Sequence, residues 1–169
     1  MVQKNKDSLN IRYRSEDWRG QILSNPATTP FAIGSHIFPS VESPLQGIKF
    51  ADIAEREEIF AMDGMDALRA GREITHSIQK GEKRFVYWGD EQIIYNSIEH
   101  RMLIVTFIHE KIRQNTLVQE ALLSTNTSFI FHEVGVESPY TSLPEIFFIE
   151  ILLKERSLLE MLLQFKSDL

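Results

Sequence analysis

The chain has 169 residues, enough for one domain with a sizeable core, and its 43% hydrophobic and 25% charged residues are ordinary for a soluble globule. A formal charge of −6 argues against sequence-independent adhesion to nucleic acid or anionic membranes, which rests on Lys and Arg neutralising phosphates. The absence of cysteine excludes disulfides, thiolate metal sites and a cysteine nucleophile.

The opening Met-Val-Gln-Lys-Asn-Lys-Asp-Ser lacks an apolar core, so it does not read as a secretory signal and a cytoplasmic location is expected. Residues 1–10 read as a polar, flexible tail, and 11–169 as a single domain with a long C-terminal helix. Ile11 to Tyr13 and Phe31 to Phe38 are rich in β-branched and aromatic residues and predict short strands, with the loop Asn25-Pro-Ala-Thr-Thr-Pro30 between them. A helix follows, capped by Ser40 or Ser43, with Pro44 tolerated in its first turn, which places Glu42 at or beside a helix N-terminus. Asp52 to Met62 predicts helix, Gly64 breaks it, and Asp66 to Ala70 forms a short helix ending at Gly71.

Gln79 to Arg84 reads as an exposed turn. The spacing of Ile94, Ile98, Met102, Val105, Ile108 and Ile112 predicts a long central helix over 90–115. Leu117 to Ser124 predicts another helix, Phe129 to Glu133 a strand, and Pro144 to Lys166 the last helix. Glu150, Lys154, Glu155, Arg156 and Glu160 interrupt that last helix too often for a membrane span, so its apolar face is expected to pack on the core and, in its last turns, against a second copy. The class is mainly α, an α+β fold with a small β element.

On the first of these helices Glu42, Gln46 and Lys49 fall four and seven residues apart and share one face, which sets a carboxylate, an amide and an amine side by side. By spacing alone this is an ordinary surface ion pair with a carboxylate helping the helix dipole. Arg72 after Gly71 is a solvated charge or a phosphate-binding fork, and Lys111, Arg113 and Asn115 offer the same pair of readings. Trp88 and Asp90 are either a base-stacking ring with a water-orienting carboxylate, or a core tryptophan before a helix capped by Asp90. The five histidines show no metal-ligand spacing, and no Walker-type loop, Gly-x-Ser-x-Gly or dinucleotide fingerprint occurs.

The run Pro39-Ser-Val-Glu-Ser-Pro-Leu-Gln-Gly-Ile-Lys-Phe50 resembles the signature of the NADAR or YbiA-like family, in which Pro-x-x-Glu-His-x-x-Gln-x-x-Lys-Phe opens the catalytic helix. Ser24-Asn25 upstream resembles the family's Ser-Asn-Phe lead-in. Arg56-Glu57-Glu58-Ile59, Gly71-Arg72, Lys111-Ile-Arg-Gln-Asn115 and Leu122-Leu123-Ser124-Thr125 resemble its later motifs in order, covering roughly 11–156. The resemblance implies a single-domain YbiA-like fold and cleavage of an N-ribosyl bond, with no cofactor and no metal. It implies Glu42 and Lys49 as catalytic residues, Lys49 either trapping an opened sugar as a Schiff base or binding phosphate. Ser24, Asn25, Gln46, Arg72, Trp88, Asp90, Lys111 and Glu133 are the substrate-binding candidates.

The implied partner is a phosphate-bearing ribosyl small molecule, such as a phosphoribosylamino intermediate of riboflavin biosynthesis, or an ADP-ribosylated nucleic acid, for instance modified on guanine. Three departures stand out: Ser43 where the family places histidine, Ile112 where it places phenylalanine, and a short loop before the last helix that lacks its Trp-Gly. They keep open an alternative, a catalytically weak ADP-ribose or nucleotide-binding module, or one that oligomerises through its C-terminal helix.

Overall fold

The computed structural model describes residues 7–82, 84–133 and 135–167. Helices α1 (Trp18–Leu23), α2 (Glu42–Gly47), α3 (Ile53–Phe60), α4 (Gly64–Ala70), α5 (Arg72–Gln79), α6 (Ile98–Gln114), α7 (Thr116–Leu123) and α8 (Glu145–Ser167) dominate it. Six short strands form three two-stranded ladders. β1 (Ser8–Asn10) runs parallel to β6 (Phe129–Phe131), while β2 (Phe31–Ile33) pairs with β3 (His36–Phe38), and β4 (Phe85–Trp88) with β5 (Glu91–Ile94), as antiparallel hairpins. The expected helix-dominated α+β class is what the chain adopts, and no helix among the described residues is long and apolar enough to cross a membrane.

The core lies around α6. Its Ile104, Phe107, Ile108 and Ile112 are buried against Val118, Ala121 and Leu122 of α7, Phe148, Ile151 and Leu152 of α8, and the hairpin residues Phe31 and Phe38. An aromatic cluster of Phe38, Phe60, Trp88 and Phe107, with centroids 5.1 to 6.3 Å apart, joins the two hairpins to α3 and α6. Such tilted and edge-on arrangements let positive ring edges meet negative faces.

Two expectations are corrected. Residues 1–6 of the expected tail lie outside the described residues, but Ser8–Asn10 is not tail: Leu9 is 2% exposed, and Ile11 N–H donates to Phe131 O at 2.8 Å. The polar composition around Leu9 concealed a strand with one apolar residue, whose ladder partner, from Phe129 to Phe131, lies far along the chain. The central helix begins at Ile98 rather than at 90, because Gly89, at φ 56°, turns the chain into the β4–β5 hairpin, a conformation that glycine reaches without strain. Ser97 caps the helix by accepting from His100 N–H. The expected row holds at Ile108 and Ile112, which are buried, and fails before them, since Ile94, Ile98 and Met102 are exposed and Ile104, Phe107 and Lys111 complete the buried face. The short helix ends at Gly71 as expected, but α5, which starts directly after it, escaped the sequence.

Because Leu9 is buried and its strand is paired, Leu9→Ala is expected to destabilise the protein by about 2–5 kcal/mol. Urea unfolding followed by circular dichroism checks this; an unchanged midpoint would restore the tail.

Candidate functional site

Helix α2 has only six residues and is fastened from several sides. The N-cap is Val41, which has no side-chain capping bond, rather than the expected Ser40 or Ser43, though Ser40 Oγ just before it accepts from Ser43 N–H at 3.3 Å. Glu42 N–H donates to Asn25 O at 3.0 Å, Ser43 Oγ donates to Met62 O at 2.7 Å, and Tyr87 N–H donates to Ile48 O at 2.7 Å. Ser43, where the family motif has histidine, is thereby a fully buried fastening of α2 to the turn before α4.

Along the inner face of α2 the expected stripe is a continuous hydrogen-bonded row. Gln46 Nε2 donates to Glu42 Oε1 at 2.6 Å, and Lys49 Nζ donates to Gln46 Oε1 at 2.8 Å. Lys49 Nζ also donates to Thr75 Oγ1 at 2.7 Å. Thr75, on α5, was not singled out in the sequence because its helix was not. Its signal was the i,i+4 spacing from Gly71, where a Cβ would come 1.9 Å from Gln46 Oε1, so that only glycine leaves the amide room.

Glu42 is 8% exposed. Among the described residues its Oε2 has no hydrogen-bond partner, and since every fully buried side-chain oxygen or nitrogen has one, Oε2 keeps some contact with solvent. Burial pushes the Glu42 carboxyl above its usual range, opposed by the Gln46 hydrogen bond and the positive charges of Lys49 and His132. Burial draws Lys49 down to about 8 against the pull of Glu42, which favours the ammonium. His100, in the core beside Tyr95, is drawn down to about 4 by burial and by the charges of Lys49 and Arg101. The result is a carboxyl and an amine whose ionisations are both shifted toward neutral, bridged by one amide.

The other candidates divide. Asn25 meets the site through its carbonyl, which holds Glu42 N–H, whereas Ser24 O accepts from Lys111 Nζ at 2.7 Å, behind the site. Arg72 opens α5 with an exposed side chain one turn before Thr75. Trp88, Asp90, Lys111 and Glu133 make no hydrogen bond or ion pair to Glu42, Gln46 or Lys49. Trp88 packs in the aromatic cluster, and Asp90 is exposed in the β4–β5 turn and caps no helix. Glu133 lies on the surface, accepting from Arg12 and Asn10. Lys111 is buried at 2% exposure, and desolvation draws its amine down to about 7. Among the described residues no three His, Asp or Glu side chains gather into a metal-holding group.

Residues 17–157 match the family described as bacteriophage protein GP30.3. A relative in Enterobacteria phage T4, the uncharacterized 17.1 kDa protein in the Gp30-rIII intergenic region, is 27% identical over 137 residues, 80% of this chain and 88% of that one. The NMR structure of the E. coli protein YbiA superposes with a TM-score of 0.61 at 18% identity, covering 94% of this chain and 91% of that one.

The buried Lys111 sets a pH dependence. A lysine ionises near 10.4 in an unfolded chain, so between about 7 and that value the unfolded state holds more protons and stability rises with pH. Wild type is therefore expected to gain stability relative to Lys111→Met as pH is raised from 7 to 10, read from urea midpoints of both proteins. A gap independent of pH would mean the amine is not desolvated.

Proposed function

The chain belongs to the bacteriophage protein GP30.3 family and has the YbiA fold, in keeping with its NADAR/YbiA-like motifs, and on that premise we propose that it is an N-glycosidase that hydrolyses an N-ribosyl bond. The observation that carries the reading is the Glu42–Gln46–Lys49 row with Glu42 Oε2 free. Cleaving such a bond sends the C1′–N electron pair to the leaving nitrogen and develops positive charge on C1′. An ionised Glu42 beside that carbon stabilises the charge, and Oε2 takes a proton from the water that attacks it. The amide of Gln46 holds Oε1, so the reacting oxygen is the other one.

Two substrates fit: an ADP-ribosyl adduct, for instance on a guanine base, and a phosphoribosylamino intermediate of riboflavin biosynthesis. Both bear phosphate, for which Arg72, exposed at the start of α5 and three residues before Thr75, is the candidate guanidinium. Asn25 is the wall at Glu42, with Ser24 supporting it through Lys111, and Gln46 spaces the two ionisable groups. Lys49 has two available duties. As an amine it adds to the C1′ aldehyde of the opened sugar with loss of water, forming a Schiff base; as an ammonium it binds phosphate.

Glu42→Gln is expected to lower release of free ADP-ribose from ADP-ribosylated guanine DNA by roughly 10²–10⁴-fold, measured chromatographically against wild type. Equal release from both proteins would remove Glu42 from the reaction, and no release from wild type with retained ligand binding would favour the binding-module alternative. The pH profile separates the duties of Lys49: with its ionisation near 8, the rate climbs through pH 8 if the amine reacts and declines there if the ammonium binds phosphate. Borohydride added during turnover should leave a ribosyl adduct on Lys49 only in the first case.

A further inference from the structure

Beyond the Glu42 row, a groove of about 650 Å³ runs between the segment before α1 and the loop after it, lined by Tyr13, Arg14, Trp18, Gln21, Ala27 and Leu117 among others. Trp18 is 50% exposed, Tyr13 46% and Leu117 53%. Of the chain's two tryptophans, Trp88 is held in the aromatic cluster, whereas Trp18 opens α1 with half its surface in water. Arg14 is the one charged residue of the groove lining, and no hydrogen bond or ion pair engages it among the described residues. Asp17 is engaged, gripping Arg19 with both carboxylate oxygens, while Glu16 and Asp17 line an adjoining depression on the other side of Trp18 rather than the groove itself.

Two open aromatic side chains beside an unpaired guanidinium suit a planar base followed by a phosphate. The groove and the site share one loop of the chain. Its wall at Ala27 lies two residues beyond Asn25, whose carbonyl holds Glu42 N–H, and the intervening Pro26 abuts Gly64 at the start of α4, fixing the loop. We propose that this groove binds an unpaired nucleotide of a nucleic-acid strand, the base against Trp18 and Tyr13 and the phosphate on Arg14. Taken with the N-glycosidase reading, on which this step rests, the strand is the one that carries the ribosyl adduct, so the substrate is a single-stranded nucleic acid rather than a free small molecule. Stacking needs a base whose face is free, which excludes duplex interiors. The overall charge of −6 opposes tight strand binding, so the contact rests on local chemistry, the groove lining holding Arg14 and no acid.

Tryptophan emission tests the groove without turnover. An unmodified oligo-dT of about eight nucleotides, within the usual span of a single-strand site, is titrated into wild type and Glu42→Gln at low salt, with AMP as the free-nucleotide arm. The oligomer is expected to quench emission in both proteins, and Trp18→Leu to abolish the quench while leaving the Trp88 signal and the thermal melt in place. Tyr13→Leu, with Trp18 still reporting, should weaken binding about tenfold. Arg14→Gln should flatten the salt dependence by about 0.7 in log–log slope. No quenching by the oligomer, or quenching by AMP equal to that by the oligomer at matched nucleotide concentration, overturns the proposal. Adduct cleavage without strand binding would sink the groove and spare the glycosidase reading; strand binding without cleavage would do the reverse.

Discussion

An ionisable pair withdrawn from water has to be compensated on the spot, and in this protein the compensation is one amide. Gln46 gives an N–H to Glu42 and an oxygen to Lys49, so each group has a partner while the two stand apart on the helix face. Thr75 takes another proton of the ammonium, and Gly71 leaves the space that lets the amide lie there. Much of the surrounding architecture follows from holding that row still. A six-residue helix has no stability of its own, since helix nucleation costs more than one or two turns return. Fastenings to Asn25, Met62 and Tyr87 from three other parts of the chain do what propagation cannot.

Burial acts on the pair in opposite chemical senses with one effect. It raises the carboxyl and lowers the amine, so each is drawn toward its neutral form, while their mutual attraction draws each back. Lys111 shows what the same desolvation does without a carboxylate nearby: its ammonium has a single carbonyl, Ser24 O, and its ionisation falls further than that of Lys49. The lysine that looked like part of a charged helix end is an internal tie between α6 and the residue preceding Asn25. It supports the wall of the site from behind without meeting Glu42.

The departures from the YbiA-like pattern acquire different weights in the folded molecule. Ser43 is fully buried and bonded to Ser40 and to Met62 O, so the small residue answers to packing at that point. Ile112 is a buried core residue of α6, an apolar exchange in an apolar place. The short loop after β6 carries Glu133 outward to Arg12 and Asn10, leaving His132 as the loop residue whose charge is felt by Glu42. Its Nδ1 meets Ile11 O and its ring stands edge-on to Phe148, so it is positioned by β1 and α8.

What the sequence determined by itself was local. Spacing of four and seven residues puts Glu42, Gln46 and Lys49 on one side of α2 and the turn after it, and the succession of helical patterns sets the helix-rich class. Periodicity failed where a glycine with positive φ reversed the chain, since Gly89 turned the expected start of a long helix into a hairpin and moved Asp90 to its tip. Tertiary structure decided the rest, because burial and partnership depend on segments far apart in the chain. It drew Thr75 to Lys49, set Asn25 O on Glu42 N–H, paired Ser8–Asn10 with Phe129–Phe131, and sent Glu133 to the surface. A stripe of polar residues reads the same on an exposed helix as on a buried one; only the packing that removes water from it shifts its ionisations and leaves one carboxylate oxygen open.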